Sequence, residues 1–120
     1  MGQPVVHWEI AGRDTANLQA FYRQLFGWKI TAADAMDYGF VETGGEGGID
    51  GGIFRAPDGT TPHVTFYVEV NDLGEYLAKA NRLGAQTSMP PTPMPGIGAA
   101  AMFTDPEGNT IGLFTGQTVS

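Results

Sequence analysis

Two short stretches set sixty residues apart, Gly52-Ile53-Phe54 and Gly112-Leu113-Phe114, carry one pattern: a glycine, a branched aliphatic, then phenylalanine. In a chain of 120 residues that echo predicts a duplicated fold. A half of this length would be too small to bury a sheet by itself, so two halves are expected to share one core. The second copy follows Asp105-Pro106-Glu107-Gly108-Asn109, a turn with proline early and glycine where a left-handed residue is wanted.

The rest of the chain supports two parallel readings. Val5-Val6-His7-Trp8-Glu9-Ile10 alternates with the period of a half-buried strand, with Trp8 and Ile10 on one face and His7 and Glu9 on the other. Asp14 offers a helix N-cap, Leu18, Phe21, Tyr22 and Leu25 recur at helical spacing, and Gly27 supplies the stop. An amphipathic helix is predicted there. Trp28 to Thr31 and Tyr38 to Glu42 read as short strands joined by a polar turn, and Gly52 to Ala56 as a fourth strand. Between them Gly44 to Gly52 is too glycine-rich to pack a core and is expected to be a lid or a disordered loop.

The same order returns in the second half. His63 to Val70 is the strongest strand signal in the chain, and Asp72 caps a helix whose buried stripe is Leu73, Tyr76, Leu77 and Ala80, ending at Leu83-Gly84. Pro90 to Pro95 holds four prolines in six positions and is expected to be a linker or a rim loop, because proline cannot serve a central strand. Ala99 to Thr104 and Asn109 to Thr115 form a hairpin. The fold class expected is α+β: one domain made of two βαβββ modules, residues 1–57 and 62–118, with a mixed sheet curled into a cup and the helices on its outer face.

Composition narrows the function. With no cysteine there is no thiolate site, and with no long apolar run there is no membrane span; the cytoplasm is the expected location. A net charge of -7 disfavours nucleic acid, whose phosphates it repels, and favours a neutral or cationic small molecule. Alternation puts Trp8, Ile10, Ile53, Val64, Phe66, Val68, Val70, Ile111 and Leu113 against the helices. It aims His7, Glu9, Phe54, His63, Thr65, Tyr67, Glu69, Thr110 and Phe114 into the cup, where Gly52 and Gly112 leave room.

Four groups of residues, in this order, give the chain a resemblance to a known superfamily. They are the His7 strand, Phe21-Tyr22 with Leu25-Phe26-Gly27-Trp28, Val68-Glu69-Val70-Asn71-Asp72-Leu73, and Asp105-Pro106-Glu107-Gly108-Asn109. The chain resembles, over nearly its whole length, the vicinal oxygen chelate superfamily of glyoxalases, bleomycin-resistance proteins and extradiol dioxygenases. In members that use a metal, the resemblance implies a histidine on the first strand, a second on the fifth, and a carboxylate on each closing strand. His7 matches the first. Thr65 stands at the second, and Gly52 and Gly112 stand at the carboxylate positions, so no metal site and no cofactor is expected. The remaining metal alternative is an improvised set of His7 and His63 with Glu9 or Glu69, which a two-residue shift of nearly 7 Å along the strand opposes.

The function expected is metal-independent binding of a small, partly apolar or cationic molecule. Phe54, Tyr67 and Phe114 would form the floor, His7 and Thr65 would orient the ligand, Glu9 would stand at the ligand-binding rim or on its solvated margin, and Gly52 and Gly112 would make space. Sequestration like that of a bleomycin-resistance protein is one concrete form, and the resemblance implies a homodimer. Two alternatives stay open: a metal-dependent lyase, isomerase or dioxygenase, and an interaction module without ligand. No nucleophile and base pair stands out.

Overall fold

The computed structural model of the chain describes residues 2–33 and 37–116. The element order is β1 (Val5–Gly12), α1 (Thr15–Phe26), β2 (Lys29–Ala33), β3 (Tyr38–Glu42), β4 (Gly51–Arg55), β5 (His63–Glu69), α2 (Leu73–Arg82), β6 (Gln86–Met94), β7 (Gly98–Thr104) and β8 (Thr110–Thr115). This is βαβββ twice, an α+β fold, as the repeated pattern predicts. The turn expected between β2 and β3 falls partly on residues 34–36, and the expected end of the second module at 118 lies, like them, outside the described residues.

The chain divides into two compact units, residues 7–65 and residues 1–6 with 66–120. In the first the strand order is β2-β3-β4-β1, with β1 and β4 parallel and the other pairs antiparallel. In the second it is β5-β8-β7-β6, with β5 and β8 parallel and the rest antiparallel. The registers match as a repeat should: Glu9 pairs with Gly52 and Ile10 with Ile53, while Tyr67 pairs with Gly112 and Val68 with Leu113.

Local chemistry explains both helices. The Asp14 carboxylate accepts from the Asn17 backbone N–H at the start of α1, and Gly27 ends it in the left-handed region, its N–H donating to the Arg23 carbonyl. The Asp72 carboxylate likewise accepts from the Glu75 N–H to start α2. Ile30, Val41 and Ile53 make the first unit's core, with Trp8, Ile10, Leu18, Tyr22 and Trp28 packed on it. Val70, Leu73, Leu77, Ala99, Ala101 and Leu113 make the second.

Several expectations need correction. The proline-rich stretch is a strand: β6 runs through Pro90, Pro91 and Pro93 and pairs with β7. It ends the strand order of its unit, and its register shifts between Thr87 and Met89 and again between Met89 and Thr92, the edge position and irregularity that tolerate missing N–H groups. Val64 and Phe66 are not covered by helix; they are 70% and 39% exposed. The short α2 packs its stripe on Val68 and Val70 without reaching Phe66, and Val64 borders an open cleft beside Ile10, Leu18 and Tyr22. Within α1 the apolar spacing splits, since Leu18 and Tyr22 pack on the core while Phe21 and Leu25 are more than half exposed.

The glycine-rich loop is tied down at three points. The Thr43 N–H donates to the Asp50 carboxylate, the Gly48 N–H to the Gly45 carbonyl, and the Trp8 indole N–H to the Ile49 carbonyl. Its last two glycines are buried strand residues rather than loop.

Candidate binding site

The face of the first unit turned away from α1 carries the chemistry. Because side chains alternate along a strand, packing Trp8 and Ile10 under the helix turns His7 and Glu9 to the other side. The antiparallel pairing of β3 and β4 sets Tyr38 opposite Phe54 and Phe40 opposite Gly52 on that same side. Tyr38 joins these residues. Its phenol hydroxyl donates to the Glu9 carboxylate at 2.8 Å, and His7 Nε2 lies 2.8 Å from the same oxygen. Its ring stacks on Phe54, centroids 5.8 Å apart, and leans on Phe40 at 4.9 Å.

The room expected beside Gly52 is therefore filled. A Cβ built on Gly52 would overlap the Tyr38 hydroxyl and the ring carbons next to it. In the second unit Gly112 meets the same fate, because its Cβ would run into the ring of Tyr67, its direct partner across β5 and β8. Each glycine lets a tyrosine ring lie flat over the backbone rather than opening a cavity.

The structure brings His7, Glu9, Gly52 and Phe54 together, with His63 at the margin, where its ring meets Phe54 edge-on at 6.4 Å and its Nδ1 lies 2.9 Å from the Thr61 carbonyl. Thr65 is buried, only 4% exposed. Tyr67 and Gly112 are together in the second unit, where Phe114 pairs with Glu69 on the same two strands and is half-buried. Glu69 and Thr110 are exposed strand residues. Tyr38 and Phe40 are the residues that sequence reasoning missed. Their signal was present in the alternation Tyr38-Gly39-Phe40 once β3 is paired to β4, since one aromatic then faces Phe54 and the other Gly52.

Burial holds the His7 imidazole below its ordinary pKa of 6.5, a desolvation effect stronger than the opposing attraction of Glu9 and Asp50. The neutral ring is thus favoured. The metal set implied by the resemblance does not fit these residues. Gly52 offers no donor and its side-chain space belongs to a phenol, Gly112 offers none and is covered by Tyr67, and Thr65 stands in place of a histidine. Among the described residues no group of three or more histidine, cysteine, aspartate or glutamate side chains could hold a metal ion. Nor among them is any helix long and apolar enough to cross a membrane.

Known proteins of this architecture carry varied chemistry. The fold is similar to that of a superfamily member from Vibrio splendidus, at 16% identity and a TM-score of 0.65, covering 95% of this chain and 99% of that one. It is similar to the Mn(II)-bound glyoxalase from Novosphingobium aromaticivorans, at 14% identity and 0.70, covering 97% of this chain but 40% of that one. It is also similar to methylmalonyl-CoA epimerase from Mycobacterium tuberculosis, at 14% identity and 0.63, covering 94% and 87%. At such identities the likeness concerns the fold alone. A search of curated protein sequences gives no match. The model of the Glyoxalase/Bleomycin resistance protein/Dioxygenase superfamily matches residues 5–113, and the chain belongs to that family.

Proposed function

We propose that the protein binds a small, partly apolar and cationic molecule without a metal, on the face of the first unit formed by Tyr38, Phe40 and Phe54 with Glu9 and His7. The observation that carries this reading is the tyrosine laid over each of Gly52 and Gly112, the positions at which the resemblance implies a carboxylate in metal users. Aromatic faces attract cations through their quadrupole, and a carboxylate beside them adds charge complementarity. The chain's net charge of -7 supports a cationic partner.

Titration of the untagged protein with bleomycin, followed by thermal shift and by calorimetry, tests it. Saturable binding that weakens at least tenfold in Phe54→Ala is expected, and no requirement for added zinc, nickel or manganese. Binding that appears only with a divalent ion, or no binding of any cationic aromatic compound, would overturn it.

A homodimer belongs to the same reading. It is supported by α1, where Phe21, Leu25 and Phe26 are each more than half exposed next to Tyr22 and Trp28. Sedimentation of Phe21→Glu is expected to give monomer where the unchanged chain gives dimer.

A further inference from the structure

We infer that the second unit carries a binding site of its own, the groove between α2 and the sheet, for a small organic anion with an apolar body, its carboxylate held at Lys79. The site shares no residue with the face of Tyr38 and does not rest on the function proposed above.

The groove begins with one small residue. At the offset from its N-cap where α1 carries Tyr22, α2 carries Ala80. The ring of Tyr22 packs on the first core and stacks on Trp28, centroids 5.4 Å apart. Ala80 ends at a methyl group, and apolar surface beside it is left open. The groove has a volume of about 260 Å³, with Val68, Phe103 and Leu113 on its sheet side and Tyr76, Ala80 and Leu83 on its helix side. The N-terminal segment, fixed where the Pro4 carbonyl accepts from the Glu69 N–H, brings Gln3 to the edge. A cavity of ~150 Å³ is enough for a benzene ring, so this groove has room for an apolar body of about eight carbons.

Charge decides the head group. The chain carries a net charge of -7 and as a whole repels an anion, so an anion site needs a local exception. This groove is one. The cleft beside Ile10 and Leu18 is lined by Asp14, and the one beside Asn71 by Glu69, whereas no carboxylate lines the groove at α2. Its one charged residue is Lys79. Among the described residues Lys79 makes no ion pair, not even with Glu75 one turn earlier on the helix. A lysine lays its apolar stem along such a surface and carries the ammonium to the edge. There the Tyr76 hydroxyl and the Gln3 amide, which have no hydrogen-bond partner among the described residues, add donors for a carboxylate.

Octanoate, octylammonium and octanol share one apolar body and differ in head group, which suits them as probes of the labelled full chain by heteronuclear NMR. Octanoate is expected to shift the signals of Val68, Ala80 and Leu113 saturably, and octylammonium to leave them in place, whatever it does at Tyr38 and Phe54. Lys79→Gln is expected to weaken octanoate at least fivefold and to leave octanol unchanged. Ala80→Tyr, which copies the first unit, is expected to abolish the octanoate shifts in a chain that stays folded. Equal binding of octylammonium, or undiminished octanoate binding in Lys79→Gln, would overturn the choice of an anion. Shifts that never saturate, or that spare these three residues, would overturn the site. If the same signals respond to protein concentration and not to octanoate, a second copy of the chain covers the groove and the ligand inference fails.

Discussion

The two units share a main-chain register but fill the same glycine position by different routes. Gly52 is covered by Tyr38, which comes from the next strand on its far side, whereas Gly112 is covered by Tyr67 from the strand it pairs with directly. In consequence Tyr38 approaches β1 with its hydroxyl free to meet two polar side chains, and Glu9 occupies in the first unit the place that Tyr67 takes in the second. The repeat has therefore kept its backbone while its chemistry diverged. A glycine in a strand marks where another group must come close, and which group comes is decided by a neighbouring strand.

The helices differ in the same spirit. In α2 the buried residues are Leu73 and Leu77, but the only buried residue of α1 is Gln19, whose amide donates to the Ile53 carbonyl. The outward side of α1 is correspondingly aromatic.

The largest effects should come where the units are alike. Ile53→Ala and Leu113→Ala remove equivalent buried side chains, and each is expected to lower unfolding free energy by about 2–5 kcal/mol in denaturant titrations. A far smaller loss for one of them would break the equivalence of the two cores. Next come the glycines. Gly52→Ala and Gly112→Ala should each cost about 1–3 kcal/mol by overpacking. The cost at 52 should largely vanish in a Tyr38→Ala background, and that at 112 in a Tyr67→Ala background, but not with the partners exchanged.

Tyr38→Phe removes the hydroxyl that serves His7 and Glu9 and is expected to cost about 1–2 kcal/mol, small in stability but visible in binding. The pH response should separate the units further. Folded His7 has a lowered pKa, so as pH falls through 6.5 the unfolded chain takes up a proton before the folded one. Stability from this source is complete above that pH and declines below it until the folded ring also protonates. A melting curve series should show this slope in the unchanged chain and lose it in His7→Gln. Smallest is the turn at Asp105, whose carboxylate accepts from the Asn109 side chain and from the Asn109 and Glu107 N–H groups. Those bonds hold its pKa below 3.8, so their contribution is complete above that pH and declines below it until the folded carboxyl is itself protonated, and Asp105→Ala should lower the melting temperature slightly at neutral pH.

Much of the fold was legible because its signals are local. Asp14, Gly27 and Asp72 cap where their chemistry demands, and the alternation from Val5 and from His63 gives real strands. The misreadings are all tertiary. Proline in β6 is acceptable because of where that strand lies in the order, and the exposure of Val64 and Phe66 depends on how far a helix reaches. The site was half legible for the same reason. His7 and Glu9 follow from one strand's alternation, but Tyr38 joins them only through the pairing of β3 with β4, which no single stretch encodes.

Elemental analysis of untagged protein, followed by calorimetric titration with zinc, nickel, manganese and ferrous iron, bears most directly on the metal-free binding proposed for the face that carries Tyr38. The unchanged chain should carry no stoichiometric metal and give no saturable heat with any of the four. One equivalent of a divalent ion, bound by the unchanged chain and lost in His7→Ala, would contradict it.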